Sequence, residues 1–215
     1  SFTAPSFASS VTGASTGFSP GISAAVGASI AGAALASSCS VCTGFSSATG
    51  ASTVCAFGIS AAVGMALAGK LDQADWRVYT ILGDGEIGEG QVWEAAMFAA
   101  AKGLDNLTVI VDNNNLQIDG TLEEVNSPYP IPEKFAAFGF HVIEIDGNDL
   151  EQIEAALTEA KTIVGKPTCI VQKTIKGKGV SFMENQCNWH GSAPNKEQYD
   201  VAMAELTATL QELEG

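Results

Sequence analysis

Two short polar clusters carry the residue types best suited to chemistry, Gly83-Asp84-Gly85 and Asn113-Asn114-Asn115, with Asn114 thirty positions after Asp84. A carboxylate and a side-chain carbonyl are hard oxygen donors of the kind that hold Mg²⁺ or Ca²⁺. Gly83 and Gly85 leave no side chain beside Asp84, so phosphate oxygens can approach the backbone closely. A helix expected to begin near Gly90 would aim free N–H groups and the positive end of its dipole at the same place. A metal beside a helix N-terminus is a site for a diphosphate. Taken singly, the clusters have plainer readings: a turn-capping Asp, and an Asn in the left-handed region after a strand.

The elements that must position these clusters can be read from the flanking residues. Arg77-Val-Tyr-Thr-Ile-Leu82 is an apolar, β-branched run of the sort that forms a buried parallel strand. Gln91 to Lys102 is rich in helix formers and stops at Gly103, a natural C-terminal cap. Leu107 to Val111 is a second buried strand, which closes a βαβ unit. Both clusters then leave the carboxyl ends of strands, the edge where open α/β sheets bind ligands.

The rest of the chain continues in kind. Ile59 to Leu71 reads as an Ala-rich helix with close-packing glycines, and Glu133 to Phe138 as a short helix after Pro128, Pro130 and Pro132. His141 to Ile145 and Thr168 to Lys173 read as two more strands. Between them Asn148 and Glu151 form an expected capping box for a helix with the stripe Leu150, Ile153, Leu157, Ala160 and Val164. Lys176-Gly-Lys-Gly179 opens a loop that runs to His190, and Asn195 with Gln198 caps a last helix. The expected fold class is α/β: a doubly wound, mostly parallel sheet with helices on both faces, forming one domain over 58–215.

Composition narrows the function. A net charge of -14 argues against nucleic acid and anionic membrane, which call for clustered Lys and Arg, and it requires a divalent metal beside any anionic cofactor. Five cysteines without framework spacing point to reduced thiols in a cytoplasmic protein. Residues 1–57 contain no charged residue, and the first charge is Lys70. Gly21-Ile-Ser-Ala-Ala-Val-Gly27 recurs word for word at Gly58 to Gly64. Ser, Ala, Gly and Thr dominate this part, where a soluble domain would scatter charge over exposed faces. Residues 1–57 are therefore expected to belong to the same domain but to carry a sequence unlike the natural one. The run Ile22 to Ala36 is too short and too rich in Ser and Gly to span a membrane. Cys39 and Cys42 have redox or zinc half-site spacing, but without a second pair coincidence is the better reading.

The wording of three stretches resembles transketolases: Gly83-Asp-Gly-Glu-Ile-Gly-Glu-Gly-Gln-Val-Trp-Glu94, Val111-Asp-Asn-Asn-Asn-Leu-Gln-Ile-Asp-Gly120, and Lys173-Thr-Ile-Lys-Gly-Lys-Gly-Val-Ser-Phe-Met-Glu-Asn185 with Trp189-His-Gly191. The similarity runs from about Gly58 to Gly215 and is to the amino-terminal half of the enzyme, or to the N-terminal subunit of a split one. It implies thiamine diphosphate with Mg²⁺ or Ca²⁺, held by Asp84, Asn114 and the main-chain carbonyl of Leu116. Gly83 and Gly85 would lie at the diphosphate, and Ile118 beside the thiazolium. Asn113 is the nearest competitor for the role of Asn114, and core packing explains Ile118 equally well.

The resemblance also implies that His190 reaches the diphosphate and the sugar substrate, against the plainer reading of a surface loop residue. His141 fits a structural role, Glu89 a helix-dipole or subunit-interface role, and Trp93 and Phe98 core or interface packing. Lys176 and Lys178 are either solvated or turned to substrate or partner. The implied activity is transfer of a two-carbon ketol unit from a ketose phosphate to an aldose phosphate. The implied partner is a pyrimidine-binding domain on a C-terminal subunit or in the rest of a longer chain, within a homo- or hetero-oligomer. Rival expectations are a 1-deoxyxylulose-phosphate synthase, a 2-oxoacid dehydrogenase component, and a non-catalytic cofactor-binding subunit. Departures lie upstream of the strands: of the Gly-rich loop before the first helix only Gly58 survives, and the family's early Gly-His motifs are missing.

Overall fold

A computed structural model describes residues 57–214. The expectations for the repeated heptapeptide at Gly21, the Ile22–Ala36 run, Cys39 and Cys42, and the unnatural character of the first segment lie outside the described residues.

Four apolar runs become one parallel sheet, in the spatial order β1 (Val78–Gly83), β2 (Leu107–Asn113), β6 (Thr168–Lys173) and β5 (His141–Asp146). The register pairs Gly83 with Asp112, Asn113 with Lys173, and Asp146 with Lys173, so the four carboxyl ends finish at one edge. Burial on both faces is why β2 and β6 are apolar almost throughout rather than alternating.

Helices cover both faces, as expected. On one face Leu82, Val109, Val111, Cys169 and Val171 pack with buried residues of three helices: α1 (Phe57–Leu71), α2 (Gly90–Ala101) and α4 (Ile131–Ala137). On the other, Ile110, Ile143, Ile145 and Ile170 meet Ile153, Ala156 and Leu157 of α5 (Leu150–Ala160). A two-stranded hairpin, β3 (Leu116–Gln117) and β4 (Gly120–Thr121), follows β2 and leads into the single turn α3 (Leu122–Val125). The last helix is α6 (Lys196–Glu214).

Several local expectations hold. Gly103 takes φ +59°, and the N–H groups of Gly103 and Leu104 donate to the carbonyls of Ala100 and Ala99, which closes α2 with a left-handed cap. Asn195 and Gln198 exchange backbone-to-side-chain hydrogen bonds at 2.9 Å each, the reciprocal cap expected for α6. His141 pairs with Glu159 at 2.7 Å on the surface, a structural role. Trp93 stacks with Phe138 and tilts against Phe135 in the core, whereas Phe98 is exposed beneath Lys102.

Two expectations for α5 are corrected. Its N-cap is Asp149, whose carboxylate accepts from the N–H groups of Glu151 and Gln152, and not Asn148. The carboxamide oxygen of Asn148 instead accepts from the Ile175 N–H at 3.1 Å. That contact joins the ends of two different strands, so local sequence gives no sign of it. The apolar stripe is also shorter than expected, since Leu150 is 81% and Val164 83% exposed. Leu150 sits in the first turn and Val164 beyond the helix end, so neither follows the buried face of Ile153, Ala156, Leu157 and Ala160.

Candidate active site

The carboxyl edge of the sheet opens into a cleft of about 540 Å³. It gathers Gly83, Asp84, Gly85, Asn114, Leu116 and Ile118 of the two clusters and the hairpin after them, together with His190 from the distant loop. The parallel register explains the first six, since β1 and β2 end side by side.

Asp84 follows β1 directly and is only 1% exposed. Its Oδ2 accepts from Asn113 Nδ2 at 2.9 Å and from the Asn115 N–H at 2.6 Å. Asn115 can aim that N–H because it takes φ +63°, a left-handed conformation that Asn adopts at low cost. Burial pushes the Asp84 carboxyl above the ordinary range, with the Asn113, Asn115 and Gly85 hydrogen bonds pulling the other way. A bound cation would favour the charged form that burial opposes.

Adjacent asparagines take different jobs. Asn113 is buried, and its amide nitrogen serves Asp84 and the Tyr129 hydroxyl, the latter at 2.7 Å. Asn114 faces the cleft; its Nδ2 donates to Asp112 Oδ2 at 3.2 Å and its Oδ1 accepts from the Leu116 N–H at 3.0 Å. One oxygen lone pair of Asn114 is left for a ligand, while Asn113 offers its donor side to Asp84.

The two glycines differ in a way that spacing does not reveal. A Cβ at Gly83 would meet nothing within 4 Å, so the space beside it is open, although its N–H already donates to Glu86 Oε2. At Gly85 a Cβ would lie 2.9 Å from Gln117 Cβ and 3.3 Å from its Oε1. The β3–β4 hairpin folds back over Gly85, so its missing side chain makes room for Gln117, while both glycines are half-buried and line the cleft. Ile118 occupies the hairpin turn and is 60% exposed, so the core-packing explanation for it fails.

Lys176 and His190 enter the cleft from the loop after β6, with Lys176 Nζ 3.4 Å from His190 Nδ1. That loop is held by the Trp189 indole N–H, which donates to the Phe182 carbonyl, and by the Phe182–Trp189 ring contact. It turns at Gly177, where φ is +73° and a Cβ would strike the Met183 carbonyl at 2.7 Å. Lys178 lies outside the cleft lining and is exposed.

Sequence reasoning missed four acidic or amide residues of the lining: Glu86, Asp112, Gln117 and Asp119. Glu86 Oε2 accepts from the Gly83 N–H at 3.1 Å, and burial, joined by the Glu89 charge, pushes its carboxyl up. Their only sequence signal was membership of the same two strand-end segments. Glu89 also lines the cleft, as the N-cap of α2 without a side-chain cap bond.

The donor set fits a hard cation. Among the described residues no group of three or more His, Cys, Asp or Glu gathers as a metal cluster, so a cation here would draw on Asp84 and amide or main-chain oxygens. Glu86, Glu89, Asp112 and Asp119 crowd the same cleft against Lys176 and His190. An anion entering such a cleft needs a divalent metal to compensate that charge.

Residues 39–209 match the family model described as transketolase, thiamine diphosphate binding domain. The chain belongs to this family. Among curated relatives, a 6-deoxy-6-sulfo-D-fructose transketolase subunit from a Clostridium species is 45% identical over 137 residues, which cover 64% of this chain and 50% of the relative. An apulose-4-phosphate transketolase subunit from Phocaeicola vulgatus is 42% identical over 145 residues, covering 67% of this chain and 52% of the relative. The chain thus spans about half the length of these relatives. The crystal structure of a transketolase from Campylobacter jejuni superposes with a TM-score of 0.65 at 32% identity, over 70% of this chain and 24% of that one. Transketolase-family membership agrees with the resemblance of the stretches Gly83–Glu94, Val111–Gly120 and Lys173–Asn185. No helix among the described residues is long and apolar enough to cross a membrane.

Proposed function

We propose that this chain supplies the metal- and diphosphate-holding half of a transketolase-type active site. The observation that carries the reading is the convergence of Asp84, Asn114, Lys176 and His190 on one cleft at the carboxyl edge of the sheet. Asp84, Asn114 and the Leu116 main-chain carbonyl would hold Mg²⁺, or Ca²⁺ in its place. Gly83 would admit the diphosphate to the backbone, and Ile118 would face the thiazolium. Thiamine diphosphate, when bound, supplies the electron sink that lets a carbon–carbon bond beside a ketose carbonyl break and re-form.

This chain's own residues would bind and orient. Asp84 and Asn114 would hold the divalent metal, whose charge would compensate the diphosphate. Lys176 places a positive charge at the mouth of an otherwise acidic cleft. His190, exposed on the loop, can donate to a sugar hydroxyl or move a proton at the substrate oxygen. The net reaction we propose is transfer of a two-carbon ketol unit from a ketose phosphate to an aldose phosphate. The names of the two relatives, each called a transketolase subunit, support both the reaction class and a division of the enzyme between polypeptides.

The pyrimidine end of the cofactor then falls to a partner, either a C-terminal polypeptide or the remainder of a longer chain. A cytoplasmic heterotetramer of two such pairs fits this arrangement. The test is reconstitution: the chain mixed with a pyrimidine-domain partner, Mg²⁺ and thiamine diphosphate, assayed for ketose-to-aldose transfer. Transfer that requires both polypeptides is expected. Tight cofactor binding without transfer from any ketose phosphate would favour a non-catalytic role instead.

A further inference from the structure

The junction between β6 and the loop bearing Lys176 and His190 is tied to the metal-side asparagine through one side chain. Thr174 is the first residue after β6. Its N–H donates to the Asn113 carbonyl at 3.2 Å, and its hydroxyl donates to Asp112 Oδ1. The other carboxylate oxygen of Asp112 accepts from Asn114 Nδ2 at 3.2 Å. Asp112 is therefore gripped on both oxygens, by Thr174 from one strand end and by Asn114 from its own.

The Thr174 side chain is itself held in place. A Cβ added at Gly147 would fall 2.5 Å from Thr174 Cγ2, so the methyl group fills the space beside the β5 end and turns the hydroxyl toward Asp112. The next residue is anchored as well, because the Ile175 N–H donates to Asn148. Lys176, one position further on, enters the cleft. The chain Asn114–Asp112–Thr174 is thus a continuous polar link from the proposed metal ligand to the root of the loop that carries the cationic side of the cleft.

We propose that Thr174 and Asp112 are positioning residues that set the Asn114 carboxamide for the metal and couple its placement to the Lys176–His190 loop. The inference rests on the reading of Asn114 as a metal ligand. Asp112 fixes the amide nitrogen of Asn114, so the oxygen of that side chain must present itself on the opposite side of the group. Partners of metal ligands of this kind change affinity when removed, even though they touch no metal.

The test uses the assembled full-length protein, with Mn²⁺ as a spectroscopic probe for the divalent site and thiamine diphosphate present. Thr174→Val keeps the shape and removes the hydroxyl; metal affinity should fall by about tenfold or more. Thr174→Ser restores the hydroxyl and should bring affinity back to within about threefold of the parent, a rescue that loss of packing alone would not show. In an Asp112→Ala background, Thr174→Val should weaken affinity no further, because both act through the same carboxylate. If Thr174→Val disrupts the loop, seen as a changed circular dichroism spectrum, Asp112→Ala alone carries the test, with the same tenfold loss expected. Parent-like affinity in Thr174→Val, or a loss that Ser fails to rescue, would overturn the proposal while leaving the metal site in place. Absence of metal-dependent cofactor binding in the parent protein would overturn the functional reading, and this one with it.

Discussion

Asn113 donates its side-chain amide to the buried carboxylate of Asp84 at 2.9 Å, across the ends of two adjacent parallel strands. The contact orients a carboxylate that burial alone would drive toward its neutral form. Asn113 thus turns its amide nitrogen to Asp84, and it is Asn114, not Asn113, that lines the cleft.

Replacing Asp84 separates its electrostatic cost from its use. The folded-state pKa of Asp84 lies above the unfolded value, so in the carboxylate range the folded chain holds more protons than the unfolded one. The contribution of this group to the stability of the metal-free protein should therefore decline as pH rises through that window and the carboxyl ionises. Asp84→Asn keeps an oxygen for Asn113 and Asn115 and removes the charge. Its metal-free form should melt higher than the parent at neutral pH and lose that part of the pH slope, while calorimetry shows Mg²⁺-dependent thiamine diphosphate binding reduced at least about a hundredfold. Unchanged cofactor affinity would make Asp84 a turn residue only.

His190→Ala should leave the melting temperature unchanged, because the side chain is exposed and caps only a short turn. Transfer by the reconstituted enzyme should fall by about 10²-fold or more if the imidazole moves a proton. The measurement is steady-state kinetics; loss in kcat and in kcat/KM together would place the contribution in the transition state. Full activity would return His190 to the surface.

Gly85→Ala pushes a methyl group against the β-carbon of Gln117, which has no rotamer that removes it. The hairpin must shift, and the Leu116 carbonyl moves with it. Destabilisation of about 1–3 kcal/mol in urea titration is expected, together with weaker cofactor binding. Gln117→Gly in the same chain should recover part of both losses. A fully stable Gly85→Ala protein would show that the hairpin does not close over this position.

Arg77→Met tests a contact remote from the cleft. The Arg77 guanidinium donates to the Asp105 carbonyl at 2.8 Å and to the Ala160 carbonyl at 2.7 Å, which joins the approach to β2 to the end of α5. Loss of these bonds should cost about 1–3 kcal/mol in denaturant titration and spare cofactor affinity. A parent-like midpoint would show that the carbonyls are served equally well by water.

Assembly is the last expectation. Met97 and Phe98 on α2 and Ile118 at the cleft are exposed apolar side chains, and Glu89, the residue expected at an interface, stands at the start of that same helix. A permanent interface there would bury on the order of 2,000 Å² or more, with an apolar centre. Light scattering of the protein with and without a pyrimidine-domain partner is the direct measurement. A monomer that transfers ketol units unaided would overturn the shared-site reading.

Much of this was legible in the residues themselves. Val109, Ile110 and Val111, or Cys169, Ile170 and Val171, are apolar in succession because a strand covered on both faces has no polar side, and that local pattern is enough to predict parallel strands. Once β1 and β2 are neighbours, the Gly83 and Asn113 clusters must meet at the carboxyl edge. The tertiary structure alone decided which groups satisfy one another there. Asn113 and Asn114 are chemically identical, and only the left-handed turn at Asn115 and the placement of β1 assign one to Asp84 and the other to the cleft. Asp149 rather than Asn148 caps α5, because the β6 end brings the Ile175 N–H to Asn148. Gln117 over Gly85, and Thr174 on Asp112, follow the same rule. Periodicity reports what each segment buries, whereas hydrogen-bond partners depend on where distant segments end, and that is set by packing.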